Sequence, residues 1–138
     1  MSHPSDGQRH DGRKRLTARP RREPDKQLAV DRTRATLEYM QGLYDEVQEI
    51  VDEGRESFMA ADNRRTRRAA TAIVIHLSDA ANRKEIVTIR DRFPEVNWSG
   101  LRLQRNILGH QYRDIDFDIV WQTLAEDFPR ERQILGFE

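Results

Sequence analysis

Apolar residues recur at steps of three and four positions along most of the chain, with charged residues on the intervening positions. This spacing puts the apolar side chains on one face of an α-helix. It predicts a first helix from about Asp25 to Asp52, with Gly54 as its terminator. A second helix is predicted to begin at Asp62 or Asn63 and to continue until Phe93-Pro94 breaks it. The pattern therefore favours an all-α fold, a bundle of amphipathic helices.

Two further helices are predicted in the C-terminal third. One starts near Trp98, where Asn97 or Ser99 could act as the N-cap, and it carries the polar segment 105–112. The last helix is predicted from Phe117 to Phe128, preceded by the N-cap Asp116 and ended by Pro129. A short docked tail is expected after it, formed by Ile134, Leu135 and Phe137.

The first 24 residues show no apolar periodicity and contain three of the five prolines. We predict a disordered basic arm over residues 1–24 and one helical domain over residues 25–138. Residues 1–32 hold nine basic and five acidic side chains, a net charge of +4. This excess has two interpretations, an electrostatic contact with RNA or a solvated tail.

The composition limits the classes of protein further. The 138 residues suffice for one domain with a modest core, which a partner subunit would help to bury. Zero net charge means that any RNA contact would be local. The chain has no cysteine, which fits a reducing cytoplasm, and neither a membrane span nor a signal peptide is expected from its apolar runs.

The candidate chemistry lies in the segment 105–112, where Arg105, Asn106, His110 and Tyr112 occur within eight residues. These residues suit cleavage of an RNA phosphodiester without a metal. Histidine can move a proton for the 2′-hydroxyl or for the leaving 5′-oxygen near neutral pH. Arginine offers fixed charge and a planar fork of donors to the phosphorane. Asn106 can orient the phosphate or the imidazole, and Tyr112 can stack on a base or donate to an oxygen.

The helical geometry of this segment raises a question. Arg105 and His110 are five positions apart, roughly 140° around the axis of a regular helix, so they do not face one phosphate together. Either the helix loosens at Gly109, or a second copy of the chain contributes one of the groups across a two-fold axis. We favour the second copy, with a local distortion at Gly109 as an addition.

Three motifs in order resemble the HEPN superfamily, and within it the HepT-like ribonuclease toxins, also called the DUF86 family. They are P-x-V-x-W at residues 94–98, R-N-x-x-x-H-x-Y at residues 105–112, and D-x-D-I-V-W at residues 116–121. The resemblance covers about residues 34–128. It implies an up-and-down helical bundle that forms a homodimer, and a metal-independent endoribonuclease that needs no cofactor.

The resemblance also implies roles for individual residues. By position, Arg105 and His110 would be the catalytic pair and Asn106 would support them. Tyr112 would be the modification site, where a small MNT-type nucleotidyltransferase antitoxin adds AMP and inactivates the toxin. The alternative is a non-catalytic HEPN module that binds a nucleotide or such a partner. Asp79 could match an acidic residue of the family, although the usual motif there is Gly-Glu-Ala.

A second basic cluster lies at the start of the predicted second helix and comprises Arg64, Arg65, Arg67 and Arg68. It could contact RNA phosphates, or it could be a solvated helix face. Farther along this helix His76 falls on the apolar stripe, and we expect a hydrogen-bonded core histidine. The alternating aspartates at 114, 116 and 118 are interpreted as helix-start residues, so no metal site is assigned.

Overall fold

The structure is a computed structural model that describes residues 23–110 and 114–137. Within these ranges the chain is helical and contains no strand. The α-helices are α1 (Glu23–Glu53), α2 (Arg55–Met59), α3 (Arg64–Ala81), α4 (Val87–Arg92), α5 (Trp98–His110), α6 (Phe117–Gln122) and α7 (Phe128–Leu135). The predicted all-α fold is confirmed. None of the described helices is long and apolar enough to cross a membrane.

The chain divides into two units, one ending at Val30 and the other covering Asp31–Glu138. In the first unit the described residues 23–30 are helical and mostly exposed. The predicted arm over residues 1–24 lies almost entirely outside the described residues, so it stays a prediction. The second unit contains the buried core and the helices that carry the candidate site.

The core of the second unit is built from the apolar faces of its helices. Met40, Tyr44 and Val47 of α1 are buried at steps of three and four residues, as the periodicity predicted. Tyr44 contacts the ring of Phe128 edge-on, with the centroids 5.6 Å apart, and thereby ties α1 to α7. The long helix α1 ends before Gly54, whose φ of 95° suits only glycine well.

The predicted second helix is shorter than expected. It starts after Asn63 as predicted, but it ends at Ala81 instead of continuing to Phe93. Side-chain donors cap its last carbonyls: Asn82 Nδ2 donates to the Ser78 carbonyl at 2.9 Å, beside the Asn82 amide at 3.2 Å, and Arg90 Nη1 donates to the Ala81 carbonyl at 2.7 Å. A 3₁₀ turn over Lys84–Ile86 and the short helix α4 follow. The short helix α2 was not predicted from the sequence either.

The prediction that Pro129 ends the last helix is wrong. Proline cannot donate to the carbonyl four residues earlier, but a π-helical turn over Thr123–Asp127 widens the backbone just before it. The amide of Phe128 donates a hydrogen bond to the Thr123 carbonyl, five residues earlier, and the chain continues as α7. Gly136 ends α7 with a left-handed φ of 76°. The predicted docked tail is wrong for Ile134 and Leu135, which lie in α7, whereas Phe137, which follows α7, is buried as expected.

Candidate functional site

The helix α5 carries most of the predicted site, and its first turn is fixed by three local contacts. Asn97 Oδ1 accepts a hydrogen bond from the amide of Gly100 at 3.1 Å, so Asn97, one of the two predicted candidates, is the cap. Trp98 is buried, and its indole Nε1 donates to the Phe93 carbonyl at 2.8 Å. Leu101, one turn farther on, is also buried. These contacts fix the rotation of α5 about its axis.

The helix continues through Gly109 to His110 without a break. A loosening of the backbone at Gly109 is therefore not seen, and Arg105 and His110 keep a separation of roughly 140° around the axis and about 7.5 Å along it. For residues 105–110 the structure describes the helical backbone alone. Tyr112 lies outside the described residues.

Polar groups of α3 bind the backbone of α5 one turn before Arg105. The hydroxyl of Ser78, which has no exposed surface, donates to the carbonyl of Arg102 at 2.9 Å. Asn82 Nδ2 approaches the same carbonyl at 3.5 Å, and Arg102 Nε donates to Asn82 Oδ1 at 2.7 Å. Asp79, considered above as a family acidic residue, is half-buried beside this network.

The described first half of α5 also carries an exposed large apolar residue on the side away from Leu101. Leu103 is 57% exposed. On the helical wheel its position lies about 20° from that of His110, because seven residues correspond to nearly two turns. An exposed leucine on that face could be covered by another protein surface.

The four arginines at the start of α3 fall into two groups. Arg64, Arg65 and Arg68 are exposed. Arg67 is half-buried, and its Nη1 donates to the carbonyls of Phe58 and Ala60 at 2.8 and 2.6 Å. Its guanidinium also lies over the ring of Phe117. Arg67 therefore closes the end of α2, while the other three present their charge outward.

The expectation of a core histidine at position 76 is wrong. His76 is exposed, although Ile73 and Leu77 on either side of it are buried. On the helical wheel His76 lies about 100° from Leu77, just beyond the buried arc of α3. It is also about 18 Å along the helix from Arg64, since each residue adds about 1.5 Å.

A pocket of about 100 Å³ lies between the first half of α5 and α7. Gly100, Leu101 and Gln104 line it on the α5 side, and Phe128 and Glu131 line it on the α7 side. Glu131 is only 5% exposed, and its Oε1 accepts a hydrogen bond from the Tyr44 hydroxyl at 3.1 Å. This buried pair was not predicted from the sequence.

Burial has a large effect on the acidity of this pair. Desolvation raises the pKa of Glu131 to about 7, although the bond from Tyr44 acts in the opposite direction. Burial and the neighbouring carboxylate raise the pKa of Tyr44 above its ordinary value. One signal could have revealed Glu131: it follows Phe128 by three positions and precedes Leu135 by four, on the buried face of α7.

The aspartates near residue 116 have structural partners. Asp116 Oδ1 accepts from the amide of Asp118 at 2.9 Å, so the predicted N-cap is confirmed. The carboxylate of Asp118 forms an ion pair with Arg55, which links α6 to α2. Among the residues that the structure describes, no group of three or more His, Asp and Glu could hold a metal ion.

Comparison with known proteins identifies the family. The sequence profile of the family described as "Ribonuclease HepT-like" matches residues 40–136, which is more than half of the chain. This chain belongs to the HepT-like ribonuclease family. A protein of Methanocaldococcus jannaschii named "Putative RNase MJ1380" is 42% identical over 41 residues, which cover 30% of this chain and 38% of that relative. No solved structure matches the chain.

The matched range of this HepT-like protein begins in the middle of α1 and ends at Gly136. It contains all of α5 and the basic start of α3. The predicted N-terminal arm lies outside it. The candidate site therefore belongs to the part of the chain that the family shares.

Proposed function

We propose that this HepT-like protein is a metal-independent endoribonuclease in which Arg105 and His110 are the catalytic residues. The observation that carries the proposal is that α5, a single helix of a chain in a ribonuclease family, holds the whole R-N-x-x-x-H motif. The contacts of Asn97 and Trp98 hold the start of that helix in place. A fixed helix suits a reaction that depends on accurate placement of two groups.

The proposed reaction uses the 2′-hydroxyl of the RNA as the nucleophile. His110 takes or relays the proton of that hydroxyl, or returns a proton to the 5′-oxygen as its bond to phosphorus breaks. Arg105 stabilises the negative charge that develops on the phosphorane oxygens. Asn106 orients the phosphate or the imidazole. The products of this chemistry are a 2′,3′-cyclic phosphate and a free 5′-hydroxyl.

The site is proposed to form between two copies of the chain. A continuous helix through Gly109 leaves Arg105 and His110 on different faces, so one copy alone presents them poorly to a single phosphate. A two-fold arrangement would bring Arg105 of one copy near His110 of the other. The exposed Leu103, on the same face of α5 as His110, provides apolar surface for such a contact.

The exposed cations of α3 are proposed to bind the RNA backbone. Arg64, Arg65 and Arg68 point outward on ordered structure and can contact phosphates of any sequence. Arg67 is left out of this proposal, because its Nη1 donates to the carbonyls of Phe58 and Ala60.

The biological role that we propose is that of a toxin controlled by an MNT-type nucleotidyltransferase antitoxin. In this scheme the phenol oxygen of Tyr112 bonds the α-phosphorus of ATP, and pyrophosphate leaves. The bulky, charged AMP would then block the neighbouring site. Support comes from the family and from the position of Tyr112 two residues after His110. Co-expression with the partner should add the mass of AMP to the parent chain but not to Tyr112→Phe.

The test of the nuclease is cleavage of total RNA by the purified protein in EDTA. The parent chain should cleave RNA, and His110→Ala should lose activity by at least about 100-fold, as expected for removal of a general acid or base. His76→Ala is the matched control, because His76 is an exposed histidine on another helix. Equal activity of His110→Ala and His76→Ala would contradict the proposed role of His110. A folded parent chain that binds nucleotide without cleaving RNA would support the non-catalytic module instead.

A further inference from the structure

Among the described residues, the interface of α3 with α5 contains a buried polar link, the hydrogen bond from the Ser78 hydroxyl to the Arg102 carbonyl. The buried residues of this part of α3 are mostly aliphatic, namely Ala70, Ile73, Val74, Leu77, Ala80 and Ala81. Burial of apolar surface is strongly favourable but has no direction, so it does not fix how far one helix slides along the other. A hydrogen bond depends on distance and angle and can fix that position.

Ser78 supplies this directional contact. Its hydroxyl is fully buried and crosses from α3 to the backbone of α5, where it donates to the Arg102 carbonyl at 2.9 Å. Asn82, just past the end of α3, closes the network by accepting from Arg102 Nε at 2.7 Å. Both the backbone and the side chain of Arg102 are therefore held from the same end of α3.

The link is placed where it can control the reactive residues. Arg102 precedes Arg105 by three residues, and in a regular helix its carbonyl also accepts the amide of Asn106. A shift of α5 along its axis would carry Arg105 and His110 with it. Displacements of about 1 Å in a catalytic group can cost on the order of 100-fold in rate.

We propose that Ser78 and Asn82 are positioning residues that set the axial position of α5, and thereby place Arg105 and His110 for RNA cleavage. This inference rests on the proposed nuclease function for its kinetic consequence. Its structural content, a directional link that holds α5, is independent of that function. The two parts can therefore be tested separately.

The kinetic test compares two buried hydroxyls on α3. Thr71 is the matched control, because its hydroxyl is also buried but donates at 3.0 Å to the carbonyl of Arg67 in its own helix. Ser78→Ala should lower kcat by about tenfold with KM within about twofold, since binding of the RNA backbone is unchanged. Thr71→Val should keep kcat within about twofold of the parent. Ser78→Cys, which retains a weak donor, should recover part of the loss.

Asn82→Asp separates the two halves of the network. It keeps an oxygen for Arg102 Nε but removes the amide donor, so we expect a smaller loss of kcat than in Ser78→Ala. Equal losses of kcat in Ser78→Ala and Thr71→Val would overturn the proposal, because the effect would then be general destabilisation. A change confined to KM would overturn it as well.

Hydrogen exchange tests the link without reference to RNA. Ser78→Ala should speed exchange of the amides of residues 103–110 by about tenfold, relative to the amides of Met40–Val47 in α1. Thr71→Val should not produce this difference. Unchanged protection of α5 in Ser78→Ala would contradict the inference even if the protein proves to be a nuclease. If Ser78→Ala speeds amide exchange in α5 but the parent protein cleaves no RNA, the link between Ser78 and α5 is supported and only the proposed nuclease function is rejected.

Discussion

Ser78 and Tyr44 each carry a buried hydroxyl that joins two helices, and the two hydroxyls differ in the group that accepts the hydrogen bond. Ser78 of α3 donates to a backbone carbonyl of α5, which is neutral at every pH. Tyr44 of α1 donates to the carboxyl of Glu131 in α7, whose pKa burial raises to about 7. The first link is expected to be insensitive to pH, and the second to change as Glu131 ionises. The position of α5, the helix of the candidate site, is therefore controlled by a hydrogen bond between two groups that do not titrate.

The largest expected effect concerns Glu131. Its folded-state pKa of about 7 lies above the ordinary value of 4.5, so the folded protein keeps a proton that the unfolded chain releases. The stabilisation is present in full below pH 4.5 and is lost as pH rises through 7. The free energy of unfolding should fall by roughly 3 kcal/mol over this window, at about 1.4 kcal/mol per pKa unit.

Urea unfolding of the parent chain and of Glu131→Gln at several pH values measures how the free energy of unfolding depends on pH. The glutamine keeps an acceptor oxygen for Tyr44 but cannot ionise, so most of the slope of the free energy of unfolding against pH should disappear. An equal slope in the two proteins would show that Glu131 does not titrate as described.

The next largest effect on stability is expected from removing the hydroxyl of Tyr44, the hydrogen-bond partner of Glu131. Tyr44→Phe preserves the ring that packs on Phe128 but leaves the buried carboxyl without its donor. The loss of stability should be about 1–3 kcal/mol and should be larger at pH 8 than at pH 5, because an ionised carboxylate needs the donor more. A loss that is independent of pH, measured by the same unfolding experiment, would contradict the coupling between the two residues.

A smaller effect is expected for the neutral link. Ser78→Ala should reduce the free energy of unfolding by about 1 kcal/mol, the typical net value of one hydrogen bond. The reduction should be the same at pH 5 and pH 8, since neither partner titrates. If the loss of stability in Ser78→Ala, measured by thermal or urea unfolding, clearly depended on pH, the Ser78 and Tyr44 hydrogen bonds would not differ as proposed.

The smallest effect on stability is expected at the exposed cations of α3. Arg64→Ala with Arg65→Ala should change the free energy of unfolding by less than about 0.5 kcal/mol at either pH. Binding of a single-stranded RNA should weaken, and the slope of log affinity against log salt should decrease by roughly 1 for each phosphate that the variant no longer binds. An unchanged salt dependence would exclude these arginines from RNA binding.

Much of the fold could be predicted from local sequence signals. Gly54 ends α1 because of its backbone freedom, and Asn97 and Asp116 cap α5 and α6 with the expected side-chain oxygens. The buried Trp98 and Leu101 follow from the apolar spacing of α5. These features depend on a few neighbouring residues, so they can be recognised in the local sequence.

The errors arose where a distant part of the chain decides the outcome. A π-helical turn accommodates Pro129, and the local sequence pattern does not indicate this turn. Because the last helix was predicted to end at Pro129, the burial of Glu131 was not predicted either. His76 lies at the edge of the buried arc, where a small rotation of α3 decides its exposure. The roles of Arg105 and His110 came from the family resemblance and stay predictions.

The most direct test of the catalytic proposal mixes two inactive variants, Arg105→Ala and His110→Ala, under conditions that exchange subunits. If each site takes its arginine from one copy and its histidine from the other, the mixed dimer holds one intact site of its two. An equal mixture should then recover about a quarter of the parent RNA cleavage activity, since about half of the dimers are mixed. No recovery, with formation of the mixed dimer verified by mass, would contradict a site shared between two copies.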